Sequence, residues 1–104
     1  MLQIKADAFQ KEVMESKVPV LVDFFATWCG PCQMMGPVLE QLQAEYGEKA
    51  KVVKVDIDQA MELAQKYQVM SVPNMIFFKD GKPQDSVIGA VPANILKEKM
   101  NQLL

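Results

Sequence analysis

Two cysteines separated by two residues are the main chemical resource of this chain. They form the run Cys29-Gly30-Pro31-Cys32, and the sequence contains no histidine. The absence of histidine excludes the Ser-His-Asp and Cys-His arrangements of nucleophilic catalysis. It also leaves the two cysteines without the further ligands of a Cys/His zinc site, so no metal is expected. Thiol chemistry is therefore the first function class to consider.

The position of the cysteines in the chain predicts redox chemistry. The apolar run Val18–Ala26 is typical of a strand buried on both faces, and it ends three residues before Cys29. Apolar residues then recur at helical spacing from Met35 to Tyr46, which predicts a long helix after the pair. The N–H groups and the dipole at a helix N-terminus stabilise a thiolate and lower its pKa. The two-residue spacing keeps the second sulfur close enough to resolve a mixed disulfide.

Two other interpretations of the cysteine pair stay open at this point. A stabilising disulfide would close a ring of four residues, for which loop-closure entropy gives only about 2 kcal/mol, and a cytosolic location would keep it reduced. Half of a metal site is the other interpretation, but the chain has no second ligand pair. Redox chemistry is favoured because C-x-x-C in a cytosolic α/β protein is typical of a redox motif.

The size and composition of the chain narrow the remaining classes. Its 104 residues suffice for one domain, residues 1–104, and 50% hydrophobic with 23% charged residues is typical of a globular protein. A net charge of −2 argues against nucleic-acid binding, which needs a concentrated basic face. No apolar run reaches the roughly 18 residues of a membrane span, and the first residues lack a secretory signal, so a cytoplasmic protein is expected. No G-x-G-x-x-G motif is present, so no nicotinamide cofactor is expected.

The other predicted elements place the cysteines inside an α/β sandwich. Asp7 begins a pattern that resembles the capping box of a short helix. Residues 51–57 form a further strand, after which Asp58 can cap a helix. Asp80-Gly81 predicts a hairpin turn between two strands, the second containing residues 86–88, and Pro92 suits the first turn of the last helix. The order β-α-β-α-β-α-β-β-α implies a mixed sheet with helices on both faces.

The segment around the cysteines resembles the active-site segment of the thioredoxin family. The residues that carry the resemblance are Val22-Asp23-Phe24-Phe25-Ala26-Thr27-Trp28-Cys29-Gly30-Pro31-Cys32. Related residues follow at positions 54–58, 71–73, 77–81 and 89–90, so the resemblance runs along essentially the whole chain. It implies the thioredoxin fold, an α/β fold whose central mixed five-stranded sheet has the strand order 1-3-2-4-5 with helices on both faces.

The resemblance also implies an activity, general protein disulfide reduction. Cys29, expected to be the exposed thiolate, attacks a disulfide of a substrate protein, and Cys32 releases the product, which leaves a Cys29–Cys32 redox disulfide. Gly30-Pro31 is the dipeptide of reducing members of the family and is expected to tune the pair toward reduction. Electrons are expected from an NADPH-dependent thioredoxin reductase. The protein itself is expected to be a monomer without a cofactor.

Asp23 has two interpretations within the predicted central strand. Either it points to solvent beside a surface lysine, or it is buried, which the face shared with Leu21 and Phe25 favours. Burial raises the pKa of a carboxyl group, which suits an acceptor for the proton of Cys32. The resemblance assigns Asp23 this catalytic role, and Lys54 on the adjacent strand is its expected partner in catalysis.

Four further residues are expected to bind substrate. Trp28 is either a packing residue or lies across the site, and its place directly before Cys29 favours contact with substrate. By resemblance, Val72 offers backbone groups to an extended substrate and is joined to Pro73 by a cis peptide bond. The alternative is that Pro73 merely opens a strand. Gly89 is matched to the family in the same way.

Three residues depart from the family pattern. Phe25 stands where some thioredoxins have a second tryptophan, and Gln33 stands where lysine or arginine is frequent. Asn74 follows the proline where threonine is usual. The cysteine motif is unaltered, so the departures bear on rate, potential and partner preference rather than on the type of reaction.

Two features of the sequence leave alternatives. Most of the eight methionines are expected to fill the core, whereas Met34, Met70 and Met75 are candidates for an adaptable docking rim. A second function class is a binding module that uses the thioredoxin surface while its thiols are incidental. The intact cysteine motif together with Asp23 favours the enzyme, because a pure scaffold would need neither.

Overall fold

Five strands and four helices follow one another in the predicted order. The computed structural model describes residues 1–104. The strands are β1 Leu2–Ile4, β2 Val20–Phe25, β3 Lys51–Asp56, β4 Asn74–Lys79 and β5 Lys82–Ile88. The helices are α1 Ala6–Phe9, which continues as the π-helical segment Gln10–Met14, then α2 Gly30–Tyr46, α3 Met61–Lys66 and α4 Ala93–Asn101. None of the helices combines the length with the apolar character that a membrane span requires.

All five strands belong to one mixed sheet with the order β1-β3-β2-β4-β5. β1 and β2 run parallel to β3, whereas β4 is antiparallel to β2 and β5 is antiparallel to β4. This is the strand order of the thioredoxin fold, so the predicted fold is confirmed. β2 is the central strand, and all six of its residues are buried because strands flank it on both sides and helices cover both faces.

The side chains of β2 alternate between two separate cores. Val22 and Phe24 enter the core that α1, its π-helical extension and α3 cover. Leu21 enters the opposite core, which α2 and α4 cover. Because successive side chains of a strand point to opposite faces, Asp23 and Phe25 lie on the same face as Leu21. Asp23 therefore points to the face that α2 covers, which is the face on which the cysteine pair lies.

The hairpin between β4 and β5 has the turn that its sequence predicts. Asp80 and Gly81 have φ values of +53° and +76°, the conformation of a tight turn between antiparallel strands. A Cβ atom on Gly81 would lie 2.9 Å from the carbonyl oxygen of Met14, so this position has no room for a side chain. β5 is longer than expected, since it begins at Lys82 directly after the turn rather than at Ser86.

Three predicted helix starts are wrong in detail. Lys5 rather than Asp7 occupies the N-cap of α1, and Asp7 lies in the first turn, where its charge still favours the helix dipole. Asp58 does not cap α3, because the helix begins only at Met61 with Ala60 as its N-cap residue; the Asp58 carboxylate accepts a hydrogen bond from Trp28 instead. Pro92 is the N-cap residue of α4 rather than part of its first turn.

Candidate active site

The two cysteines form a disulfide at the start of α2. Cys29 is the N-cap residue, and its Sγ accepts a hydrogen bond of 3.1 Å from the backbone N–H of Cys32. A sulfur atom therefore takes the place that an oxygen of Ser, Thr or Asp usually has at an N-cap. Pro31 stands in the first turn, where its missing N–H leaves no helical hydrogen bond unmade. After reduction, the same N–H and the helix dipole stabilise negative charge on Cys29.

A small apolar cluster covers the disulfide. Cys29 and Cys32 are 5% and 6% exposed, and they pack with Phe25 and Ala26. Val72 lies against the same cluster. Both cysteines are buried in the disulfide form, where the Val72 segment covers Cys29, and the exposure of the Cys29 thiolate in the reduced form stays a prediction. Hydrogen bonding, rather than exposure, distinguishes the two sulfurs.

The Val72–Pro73 peptide bond is cis and lies beside the disulfide, as predicted. The carbonyl oxygen of Val72 is 3.6 Å from the Sγ of Cys29. The carbonyl oxygen of Pro73 accepts a hydrogen bond of 2.8 Å from the N–H of Gly89. Gly89 has a φ of +92°, a conformation that is strained for any other residue. These contacts bring Cys29, Val72, Pro73 and Gly89 into one group.

Trp28 is an exposed aromatic side chain whose indole is held by Asp58. The residue is 69% exposed, so the alternative of simple packing is wrong. Its Nε1–H donates a hydrogen bond of 2.9 Å to Oδ2 of Asp58. The backbone N–H of Asp58 in turn donates to Oδ1 of Asp56 at 2.9 Å. Sequence reasoning missed this contact because it assigned Asp58 to a helix cap.

Asp23 is a buried carboxylate in the middle of β2. It is 2% exposed, which confirms the burial that its neighbours on the strand predict. Its Oδ1 has no hydrogen-bond partner. Burial disfavours the charged form and raises the pKa of the Asp23 carboxyl group to about 6, although the positive charge of Lys54 opposes the rise. A carboxyl group with this pKa can exchange a proton near neutral pH.

Lys54 is next to Asp23 in the sheet but forms no ion pair with it. The two residues are in register on β3 and β2. None of the four ion pairs in the molecule includes Lys54. Its Nζ lies 4.1 Å from the centre of the Phe25 ring instead. Lys54 therefore acts on Asp23 through its charge at a distance rather than by direct contact, and its role as partner in catalysis stays a prediction.

A cavity of about 350 Å³ lies beside Cys32. The end of β2, the first turns of α2 and one lysine of β3 form its walls, namely Phe25, Ala26, Thr27, Cys32, Gln33, Gly36 and Lys54. The Nε2 of Gln33 donates a hydrogen bond of 3.2 Å to the carbonyl oxygen of Thr27, which fixes one wall. Cys29 does not line this cavity. The two cysteines thus have different surroundings, the Val72 carbonyl for Cys29 and the cavity for Cys32.

Similarity to known proteins extends over almost the whole chain, and the thioredoxin family model matches residues 1–102. The chain belongs to the thioredoxin family. Thioredoxin 1 of Synechococcus elongatus is 45% identical over 96 residues, which are 92% of this chain and 90% of the relative. A thioredoxin of Staphylococcus aureus is 52% identical over 84 residues, 81% of each chain. The chloroplastic M-type thioredoxin of Spinacia oleracea is 41% identical over 101 residues, 97% of this chain and 56% of the relative.

Membership of the thioredoxin family decides between the interpretations of the cysteine pair. Cys29 and Cys32 are the redox pair of a protein-disulfide oxidoreductase, and the chemistry they perform is disulfide reduction. A purely stabilising bridge and half of a metal site, which spacing alone left open, no longer apply.

The residues that depart from the thioredoxin pattern have different surroundings. The ring of Phe25 contacts the ammonium group of Lys54, and Gln33 lines the cavity beside Cys32. Asn74 begins β4 directly after the cis proline, is buried, and has an Oδ1 without a hydrogen-bond partner. Phe25 is the departure that contacts both the cysteine cluster and Lys54.

The predicted methionine rim is wrong in one of its three members. Met75 is fully buried, because it lies on the face of β4 that α2 and α4 cover. Met34 and Met70 are both exposed. Met34 lies two residues after Cys32, and Met70 lies two residues before Val72, so each borders a segment of the site.

Proposed function

We propose that the chain is a general protein disulfide reductase in which Cys29 is the attacking thiolate and Cys32 the resolving thiol. The observation that carries this assignment is the hydrogen bond from the Cys32 N–H to the Sγ of Cys29 at the N-terminus of α2. Only Cys29 has its sulfur at the N-cap, where helix N–H groups lower a thiol pKa. Gly30 and Pro31 complete this turn and are proposed to tune the pair toward reduction.

The proposed cycle consists of two thiol–disulfide exchanges. The Cys29 thiolate attacks one sulfur of the substrate disulfide, forms a mixed disulfide and releases the other substrate sulfur as a thiolate. Cys32 then attacks the Sγ of Cys29, which releases the second substrate sulfur and forms the Cys29–Cys32 disulfide. The substrate gains two electrons and two protons, and the cysteine pair loses them.

Asp23 is proposed to accept the proton of Cys32 during the second exchange. With a pKa of about 6, its carboxyl group is mostly ionised at neutral pH and remains a better base than an ordinary carboxylate. The cavity lined by Cys32 and Lys54 lies on the same face of the sheet as Asp23, which supports this assignment. Lys54 is proposed to assist because its positive charge favours the ionised form of Asp23.

The substrate chain is proposed to lie along the Val72–Pro73 segment. Val72 is next to Cys29, so its backbone groups can bind an extended peptide beside the attacking sulfur. Trp28 offers an exposed aromatic surface directly before Cys29. Gly89 holds the carbonyl group of Pro73, and the space around its Cα is open, which leaves room for a bound chain.

Electrons are proposed to come from an NADPH-dependent thioredoxin reductase. We further propose that residues 1–104 act as one domain, which the single sheet joining all five strands supports, and that the protein is a monomer. Disulfide-containing proteins are the proposed substrates, with no nucleic-acid or membrane partner. The cytoplasm is the proposed location because its thiol pool keeps cysteines reduced.

Reduction of the interchain disulfides of insulin tests the proposed function. With dithiothreitol as electron donor, the protein should accelerate precipitation of the insulin B chain, whereas Cys29→Ser should not. An unaccelerated reaction would contradict the general reductase. Replacing dithiothreitol by NADPH and a thioredoxin reductase tests the electron source separately, because NADPH consumption should then follow insulin reduction.

A further inference from the structure

On the α2 face of the sheet, the carboxylate of Asp23 and the ring of Phe25 compete for the ammonium group of Lys54. Asp23 and Phe25 are two residues apart on β2 and point to the same face, and Lys54 is in register with Asp23 on β3. The Lys54 ammonium group therefore has two neighbours available to it, the carboxylate of Asp23 and the ring of Phe25. It lies on the ring, 4.1 Å from its centre.

This placement leaves Asp23 without a direct cation. Its Oδ1 has no hydrogen-bond partner, and no ion pair in the molecule includes Lys54. A buried carboxylate with an unpartnered oxygen would gain from an ammonium group in contact. An aromatic ring attracts a cation through its negative face, and the attraction strengthens where water is excluded. Phe25 is itself buried, so its ring competes with the carboxylate on favourable terms.

We propose that Phe25 is a positioning residue of the thiol–disulfide reaction, whose ring holds the Lys54 ammonium group and so keeps Asp23 free of a direct ion pair. The significance for catalysis rests on the proposed role of Asp23 as proton acceptor. A contact ion pair would make Asp23 a weaker base, since an adjacent cation stabilises the charged carboxylate. Phe25 thus preserves the basicity that the acceptor needs while Lys54 still contributes its charge from a distance.

The other groups near Asp23 do not offer an alternative cation. On β3, Asp56 shares the face of Lys54, but it is an acid, and its Oδ1 accepts the N–H of Asp58. β4 places Met75 opposite Asp23, and α2 contributes Cys32, which is in the disulfide. On α4, the two lysines are paired with carboxylates elsewhere, Lys97 with Glu45 and Lys99 with Asp85. The position of Lys54 therefore decides whether Asp23 forms a direct ion pair.

A titration of the Asp23 carboxyl carbon by NMR in the oxidised protein tests the proposal, with the disulfide intact and no histidine to titrate in the same range. Phe25→Leu removes the ring and keeps an apolar side chain. It should lower the pKa of Asp23 by about one unit, the lower end of what an adjacent opposite charge produces. Phe25→Trp keeps an aromatic face and should leave the pKa of Asp23 near that of the parent protein.

The same substitution in a Lys54→Met background separates positioning from simple solvation. With no ammonium group to release, Phe25→Leu should then leave the pKa of Asp23 unchanged. A fall in both backgrounds would overturn the proposal, since the ring would then act only by excluding water. A pKa that does not fall in the Phe25→Leu protein with Lys54 present would overturn it as well.

A measurement on the unsubstituted protein keeps the proposal testable if the Phe25→Leu protein does not fold. The Lys54 side-chain protons nearest the ammonium group should resonate upfield of their usual position, because they lie over the ring of Phe25. Ordinary shifts for these protons would overturn the proposal. Both NMR measurements are independent of turnover, so a failure of Asp23 as proton acceptor would be seen separately, in the rate of mixed-disulfide resolution.

Discussion

The two faces of β2 differ most at the neighbouring residues Phe24 and Asp23. Phe24 enters a face that aromatic rings close, where Phe9 and Tyr67 both pack on Phe78 at centroid distances of 5.7 and 5.2 Å. One residue earlier, Asp23 enters the other face as a buried carboxylate with an unpartnered oxygen. The difference teaches that both faces of this small sheet carry an apolar core, and that the face under α2 adds the buried Asp23 carboxylate beside the cysteine pair.

Neighbouring residues of the strand therefore act on stability with opposite sign. Full burial of a phenylalanine side chain contributes about 2–3 kcal/mol to folding. A carboxyl group whose pKa is raised from 3.8 to about 6 destabilises the ionised folded state by a comparable amount, at about 1.4 kcal/mol per pKa unit. Substitution of Phe24 should consequently change stability and leave activity in place, whereas substitution of Asp23 should change both.

The largest expected effect is on activity, at the cysteine pair. Cys29→Ser should abolish insulin reduction, because no other sulfur lies at the N-cap of α2. Cys32→Ser should still attack substrate and accumulate a mixed disulfide on Cys29, which mass spectrometry of the intact adduct detects. Trapping of substrate by Cys29→Ser, together with normal turnover by Cys32→Ser, would invert the assigned roles.

Substitution of Phe24 should change the stability of the fold and leave its activity unchanged. Phe24→Ala should destabilise the fold by about 3–5 kcal/mol, because it leaves a cavity in a core that is otherwise closed. Urea unfolding measures this loss, and the conservative change Phe24→Leu is the matched control with a smaller loss. Turnover per folded molecule should stay near that of the parent protein, and a large fall in it would contradict the separation of the two faces.

Loss of the charge of Asp23, on the other face of β2, should raise the stability of the fold rather than lower it. Asp23→Asn should stabilise the oxidised fold at pH 7 by up to about 3 kcal/mol, since it removes the ionised form that burial disfavours. Below pH 3.8 the carboxyl group is protonated in both folded and unfolded states, so the parent protein has no penalty there. As pH rises from 3.8 through the folded pKa of about 6, stability is lost.

Thermal unfolding at pH 3 and pH 7 checks this sign, because the advantage of Asp23→Asn should be present only at the higher pH. The same variant should slow resolution of the mixed disulfide. A lower melting temperature at pH 7 with unchanged turnover would make Asp23 an ordinary structural carboxylate.

The smallest expected effect is at the exposed edge of the site. Asp58→Ala should free the indole of Trp28 and raise the KM for protein substrates a few-fold, while stability changes by less than about 1 kcal/mol. Trp28 is the only tryptophan, so its fluorescence reports the change directly. Glu62→Ala, an exposed acid of α3, is the matched control, and an equal effect there would show that Asp58 acts only through its charge.

Much of the fold is predictable from the sequence because its signals are local. The apolar run of β2, the helical spacing after Cys32 and the Asp80-Gly81 turn each specify an element within a few residues. The burial of Asp23 is predictable for the same reason, since Leu21 and Phe25 share its face of the strand. These predictions need only the regular spacing at which side chains of a strand or a helix return to the same face.

The contacts that sequence reasoning missed join side chains that are about thirty residues apart in the chain. Asp58 binds the indole of Trp28 instead of capping α3, and Lys54 lies on the ring of Phe25 instead of pairing with Asp23. In each case one polar group has two partners within reach, and the assembled fold decides which it takes. No periodicity or motif in a single sequence indicates which of the two partners the polar group takes.

The turn between β4 and β5 has a consequence for engineering. Exposed hairpin tips are usually the places where a chain accepts inserted peptides, affinity tags or new termini. Here Gly81 abuts the carbonyl oxygen of Met14, so the tip is docked against the π-helical segment rather than free. Insertions at this tip would have to push that segment away, and they would disturb the far end of the strand that begins at Asn74.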